Sequence, residues 1–146
     1  MSVDEAPTSE RSQRSRSSPE TLRLRRVTPS LTVSDVGESL KFYRDMLGFI
    51  VDEIWEHEGR RVGAALVAGS VTLLLSLDDG AKGPDRVKGQ GFRLHLSTIQ
   101  DVDQLAATLE ARGGRLQEGP VDMPWGARAF TVIDPDGFTL TIAAEA

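Results

Sequence analysis

Residues 127–143 carry the clearest alternation of apolar and polar positions in the chain. Apolar side chains recur at every second residue on both sides of Asp134-Pro135-Asp136-Gly137, which is the period of a strand with one buried face. Proline fixes one backbone dihedral angle and glycine accepts a positive φ, so this tetrad predicts a turn. The stretch therefore predicts a β-hairpin, and its other face, with Thr139, Thr141 and Ala143, is suited to lining a cavity. The apolar positions are Phe130, Val132, Phe138, Leu140 and Ile142.

The segment that begins at Val27 predicts a strand, a helix and three further strands. Val27, Leu31 and Val33 alternate with hydroxyl side chains, which indicates the first strand. Ser34-Asp35 is typical of a helix N-cap, and Gly48 stands where the helix is expected to stop. The predicted helix covers residues 36–47, and its buried stripe consists of Val36, Leu40, Tyr43 and Leu47. Strands are predicted at residues 49–56, 61–68 and 70–77.

The same order of elements is predicted again after a Gly-rich linker at residues 80–91. A strand is predicted at residues 91–97, and Asp101 caps a helix that stops at Gly113-Gly114. At an offset of 66 positions Asp35 falls on Asp101, and Gly48 falls on Gly114. The chain is therefore an internal repeat of two modules, at about residues 27–79 and 91–143.

The charge distribution separates a tail from this repeat. Residues 1–26 contain six Arg and four acidic residues, whereas residues 27–146 carry a net charge of -7. The tail is poor in apolar side chains, so residues 1–26 are predicted to be disordered and residues 27–146 to form one domain. An acidic domain repels nucleic acid, which excludes that partner.

Cysteine is absent from the 146 residues, which excludes disulfides, thiolate nucleophiles and zinc sites built on cysteine. No apolar run reaches the roughly 20 residues of a membrane-spanning helix. We therefore expect a cytoplasmic protein that does not contact a membrane.

Three motifs resemble the vicinal oxygen chelate superfamily, which includes glyoxalase I, fosfomycin resistance enzymes, extradiol dioxygenases and bleomycin resistance proteins. They are LTVSDVGESLKFYRDMLGF at residues 31–49, DVDQLAATLEARGG at 101–114 and WGARAFTVIDPDGF at 125–138. The resemblance implies an α+β fold in which two βαβββ modules form a curled mixed sheet around a cavity, with the helices outside. It also implies a homodimer.

The resemblance further implies four strand positions at which metal-using relatives place His, Gln or Glu. In this chain those positions hold Thr28, Leu74, Arg93 and Thr141, with one residue of register ambiguity that substitutes Leu94 for Arg93. None of these side chains is a strong ligand for a divalent cation. We therefore expect neither a metal nor another cofactor, and we do not expect glyoxalase, fosfomycin transferase or dioxygenase chemistry.

Arg93 and His95 are the candidates for polar contacts with a ligand, because alternation turns them toward the cavity when Leu94 faces the core. Each has a structural alternative: Arg93 could pair with Asp52 or Glu53, and His95 could be a hydrogen-bonded structural residue. No residue is assigned a catalytic role. The predicted ligand-binding residues are Thr28, Trp55, Leu74, Arg93, His95, Trp125 and Thr141; each tryptophan has packing as its alternative, and its cavity role rests on the resemblance.

Two hypotheses of function follow. The first is a metal-independent protein of the glyoxalase/bleomycin resistance type that binds or sequesters a small organic ligand. The second is a metal-free enzyme of the lyase or isomerase type that uses Arg93 and His95 for proton transfer.

Overall fold

The computed structural model describes residues 22–145. Most of the tail predicted to be disordered, residues 1–21, lies outside the described residues. Residues 22–29 contain no helix or strand.

Two modules with the same order of elements follow this segment. In the first module, β1 is Ser30–Val33, α1 is Val36–Leu40, β2 is Ile50–His57, β3 is Arg60–Ala68 and β4 is Val71–Leu77. In the second module, β5 is Arg93–Thr98, α2 is Val102–Ala111, β6 is Glu118–Asp122, β7 is Arg128–Ile133 and β8 is Thr139–Ala144.

Each module forms its own four-stranded mixed sheet. The N-terminal sheet has the order β1-β4-β3-β2, and the C-terminal sheet has the order β5-β8-β7-β6. The pairs β1–β4 and β5–β8 are parallel, and the other neighbours are antiparallel. This architecture confirms the predicted α+β fold of two βαβββ modules.

The first helix differs from its prediction, because the α-helix ends at Leu40 and continues as a π-helical segment, Lys41–Met46. The N–H of Leu47 donates to the carbonyl of Phe42, five residues earlier, at 3.0 Å. A wider turn changes which side chains share a face, and here the consecutive residues Phe42 and Tyr43 are both buried. Their rings pack edge to face with centroids 4.9 Å apart.

The predicted caps and the predicted hairpin are confirmed. Asp35 and Asp101 accept hydrogen bonds from the backbone N–H groups of Glu38 and Gln104. The strands β7 and β8 pair antiparallel, with Val132 opposite Leu140.

One hydrophobic core joins the two modules. Side chains from both helices and from both sheets contribute to a single cluster of buried residues. The face of each sheet that is turned away from this cluster is called the open face below. Fully buried members of the core include Leu31, Leu40, Tyr43, Leu66, Leu73, Leu109, Phe130 and Leu140.

A buried hydrogen bond also links the modules. The Tyr43 hydroxyl donates to the Asp134 carboxylate at 2.7 Å, and Asp134 is only 4% exposed. Asp134 also accepts hydrogen bonds from the backbone N–H groups of Asp136 and Phe138. These bonds stabilise the turn that the sequence predicts at residues 134–137. Burial raises the pKa of Asp134, although these three hydrogen bonds oppose the shift.

Replacing Tyr43 with Phe tests this link between the modules. A raised pKa in the folded state means that ionisation of Asp134 costs stability as the pH rises through that pKa. Loss of the Tyr43 hydroxyl increases this cost, so we expect the variant to lose about 1–3 kcal/mol at pH 7 and less at pH 4. Denaturant unfolding at the two pH values measures the difference.

The control is the same substitution in an Asp134→Asn background, where the pH dependence of the loss should disappear. An equal loss at pH 4 and pH 7 in the wild-type background would show that Tyr43 acts through ring packing alone.

Candidate ligand-binding site

Arg93 lies on the open face of the C-terminal sheet. It begins β5, the edge strand, and is exposed together with His95, whereas Leu94 is half-buried and packs against the core. The alternation predicted for this strand is therefore observed. Arg93 stands opposite Thr139 in the parallel register, and His95 stands opposite Thr141.

Two threonine hydroxyls hold the guanidinium of Arg93 in place. Arg93 Nη1 donates to Thr141 Oγ1 at 2.9 Å, and Thr141 Oγ1 lies 3.2 Å from Thr131 Oγ1. Both threonines are buried, at 0% and 3% exposure. A guanidinium carries five N–H donors, so this arrangement fixes the arginine while leaving donors for another acceptor.

A cleft of about 370 Å³ opens beside Arg93. Glu118 also lines this cleft, but no carboxylate among residues 22–145 lies within 4.0 Å of the Arg93 guanidinium. The alternative in which Arg93 pairs with Asp52 or Glu53 is therefore wrong for this structure, because both acids belong to β2 of the other sheet. The cleft is lined by Arg93, Gln117, Glu118, Thr131, Ile133 and Thr139.

His95 and Trp125 form an aromatic pair on the same module. Their ring centroids are 5.3 Å apart with an interplanar angle of 61°. Trp125 lies in the turn before β7 and is 57% exposed, so it is not a core residue. His95 forms no hydrogen bond with any other side chain in the described part of the chain, which argues against its structural alternative.

The three remaining predicted residues belong to the N-terminal module, with Trp55 and Leu74 in its sheet and Thr28 before β1. Trp55 stands opposite Gly63, and a Cβ atom at Gly63 would come within 3.1 Å of the Trp55 ring. The lack of a side chain at Gly63 therefore leaves room for the indole ring of Trp55 to pack against the backbone of β3. Leu74 is half-buried opposite Ser30, and Thr28 is exposed just before β1.

The seven predicted residues thus fall into two groups, one in each module. Arg93 and Thr141 are in contact, and so are His95 and Trp125. Thr28, Trp55 and Leu74 form the second group, and the cleft beside Arg93 includes no residue of their module.

The four positions that the sequence resemblance implies for a metal, Thr28, Leu74, Arg93 and Thr141, offer no strong ligand for a divalent cation. Two hydroxyls, one aliphatic side chain and one guanidinium offer neither imidazole nor carboxylate. In residues 22–145, no group of three or more His, Asp or Glu side chains is arranged to hold a metal ion.

A larger cavity of about 870 Å³ lies at the junction of the modules. Leu96, Leu109 and Phe130, which belong to the core side of the second module, are part of its lining. None of the predicted ligand-binding residues lines it. We therefore place the candidate site at the smaller cleft, where the polar groups converge.

Sequence reasoning missed several residues of the cleft. Thr131 could have been found, because the hairpin alternation places it on the same face as Thr141. Gln117 and Glu118 enter the cleft at the start of β6, a strand that carries no apolar alternation.

The part of the chain that the structure describes contains no helix that is long and apolar enough to cross a membrane.

Comparison with known proteins gives a family and several structural relatives. The chain matches the model of the Glyoxalase/Bleomycin resistance protein/Dioxygenase superfamily over residues 23–142. Among curated proteins, no sequence matches the chain.

Three solved structures are similar to this one. TnmS3, an antibiotic binding protein from Streptomyces sp. CB03234, is 28% identical; the match covers 86% of this chain and 99% of that one, with a TM-score of 0.66. A superfamily member from Sphaerobacter thermophilus is 29% identical over 85% of this chain and 100% of that one, with a TM-score of 0.62. TioX from Micromonospora sp. ML1 has a TM-score of 0.69 over 84% of this chain and 100% of its own, but its identity of 18% supports the fold alone.

The family match spans both modules and all three sequence motifs, and the relatives share the architecture of the two sheets. The chain belongs to the glyoxalase/bleomycin resistance protein/dioxygenase superfamily.

Proposed function

We propose that this protein binds a small organic ligand at the cleft beside Arg93 and does so without a metal ion. The observation that carries the proposal is the arginine itself. Arg93 is anchored by Thr141, has free donors and has no carboxylate within ion-pairing distance in the described chain. A ligand oxyanion would bind these free donors through a charge-assisted hydrogen bond.

The cleft, together with the aromatic pair His95 and Trp125 outside its lining, favours a ligand with both a polar and an aromatic part. The cleft volume of about 370 Å³ lies within the range of small-molecule sites. Exposed Trp125 offers a ring face for stacking near His95. Glu118 disfavours a second anionic group and can accept a hydrogen bond from a ligand hydroxyl or amine.

Binding or sequestration is better supported than catalysis. A general base is normally oriented by a polar partner, whereas the contact of His95 is the ring of Trp125. The similarity to TnmS3, described as an antibiotic binding protein, supports the same choice. The alternative, a metal-free lyase or isomerase that uses Arg93 and His95, requires the ligand to orient the imidazole.

We further propose that the protein is a homodimer. Trp55 and Leu74 lie on the open face of one sheet and Arg93 on that of the other, and a second copy can bring Trp55 and Leu74 over the Arg93 face. Such pairing would cover Trp55, which is 39% exposed, and Trp125. The cytoplasmic location stays a prediction of the sequence.

The first test of the binding site replaces Arg93 with Leu. Ligands are first identified by thermal shift of the full chain with a library of aromatic carboxylic acids and antibiotics, because binding to the folded state raises its stability. Loss of a charged hydrogen bond worth about 1.5–3 kcal/mol should weaken binding of a hit by about 10- to 150-fold. Calorimetric titration measures the change, with Arg115→Leu, an exposed arginine outside the cleft, as the matched control.

Unchanged affinity in Arg93→Leu with normal unfolding behaviour would mean that Arg93 is structural and would overturn the anionic-ligand proposal. A turnover of the hit that His95→Asn abolishes would favour the enzyme alternative.

The second test concerns the metal. Thr28, Leu74, Arg93 and Thr141 cannot hold a transition metal, so we expect elemental analysis of dialysed protein to find well under one equivalent of zinc, iron, nickel or manganese. We also expect ligand affinity to be unchanged by a chelator. One tightly held equivalent per chain would contradict the proposed metal independence.

The third test concerns self-association. Light scattering at micromolar concentration should give a particle of twice the 15.9 kDa mass of one chain. A single-chain mass across the concentration range would contradict the homodimer and leave the Arg93 cleft as a site within one copy.

A further inference from the structure

Two side chains of opposite charge line the cleft of the C-terminal sheet, and neither is paired within the described chain. Arg93 and Glu118 both belong to the lining of the cleft, and both are exposed. Among residues 22–145, neither of them forms an ion pair. The cleft therefore offers a cationic donor and an anionic acceptor to whatever enters it.

The register of the strands places both charges on the open face of the sheet. Glu118 of β6 stands opposite Thr131 of β7, and residues that stand opposite each other in an antiparallel pair project from the same face. Thr131 in turn stands opposite Thr141 of β8, whose hydroxyl accepts a hydrogen bond from Arg93. Four polar side chains thus form a row across the sheet, with one charge at each end.

The width of the sheet keeps the two charges from pairing with each other. The strands β5 and β6 are its two edges, about 14 Å apart for three strand spacings. The Arg93 guanidinium reaches over β8, where the 2.9 Å hydrogen bond to Thr141 holds it, and it stays more than 4.0 Å from the Glu118 carboxylate. A molecule lying between the two groups can contact both.

An apolar side chain lies beside this row. Ile133 follows Thr131 by two residues on β7, so it projects from the same face, and it lines the same cleft. It is 42% exposed, which leaves aliphatic surface for a ligand to cover. The cleft therefore combines three kinds of contact: a guanidinium, a carboxylate and an aliphatic group.

We infer that the ligand of this cleft is a zwitterion of the amino-acid class, with a carboxylate bound by Arg93, an ammonium group bound by Glu118 and an apolar substituent against Ile133. The inference rests on the proposed function, because it concerns the same cleft. The planar guanidinium matches the geometry of a carboxylate, and the Glu118 carboxylate accepts hydrogen bonds from an ammonium group. A purely anionic ligand is repelled by Glu118 and a purely cationic one by Arg93, so the pair selects against both.

Three compounds with a common phenylethyl skeleton test the inference on the full chain. Phenylalanine carries both charges, 3-phenylpropionate lacks the ammonium group, and phenethylamine lacks the carboxylate. Phenylalanine should bind most tightly, by about tenfold over each of the other two, because it alone makes both charged hydrogen bonds. Calorimetric titration measures the three affinities.

Glu118→Gln keeps the shape of the side chain and removes its charge. In this variant the affinity for phenylalanine should fall about tenfold and that for 3-phenylpropionate should not fall, so the preference for the zwitterion disappears. Denaturant unfolding checks that the variant is folded. The matched control is Glu110→Gln, an exposed glutamate of α2 outside the cleft, which should leave the three affinities unchanged.

The outcomes separate this inference from the proposed function. If 3-phenylpropionate binds as tightly as phenylalanine or more tightly, the zwitterion is overturned and the anionic ligand at Arg93 stands. A preference for phenylalanine that survives Glu118→Gln would place the ammonium group elsewhere and would also overturn the inference. So would the absence of phenylalanine binding at millimolar concentration, whereas the proposed function is decided separately by Arg93→Leu with hits from the wider library.

Discussion

The hydrogen bond from Tyr43 to Asp134 fixes the two modules of this protein to each other from within the core. A carboxylate that is only 4% exposed is stable there because three donors surround it, and one of them comes from the other module. The neighbouring Asp136 accepts from the N–H and hydroxyl of Ser34, and Lys88 of the linker donates to the same hydroxyl at 3.0 Å. Because the Tyr43–Asp134 bond lies in the core, the open faces are left for polar residues such as Arg93.

Most of the fold could be predicted because the sequence patterns that define its helices and strands are local. Alternation, aspartate caps and glycine stops lie within a few residues of the elements that they define, and Asp35 and Asp101 cap the helices as expected. Three features could not be predicted in this way. The π-helical segment places both Phe42 and Tyr43 in the core through packing against distant residues, and β6 contains Gly119 and Pro120 in place of an apolar pattern. The partner of Tyr43, 91 residues away, has no local signal.

The sequence predicted which face of β5 carries the candidate site residues, but it did not predict which residues they contact. Alternation placed Arg93 and His95 on the open side of β5, and the structure confirms it. The hydrogen bond between Arg93 and Thr141 depends on the register of β5 against β8, which a single sequence does not state. The register also separates Trp55 from Arg93, since each belongs to a different sheet. The predicted ligand-binding residues therefore lie in two separate groups within one chain.

The most direct test of ligand binding without metal is the fluorescence of Trp125. The chain has two tryptophans, so Trp55→Phe leaves Trp125 as the single reporter beside His95. This variant is treated with a chelator and titrated with aromatic carboxylic acids. The account predicts a saturable change in emission for at least one compound at full chelation. Emission that responds only after a divalent cation is restored would contradict it.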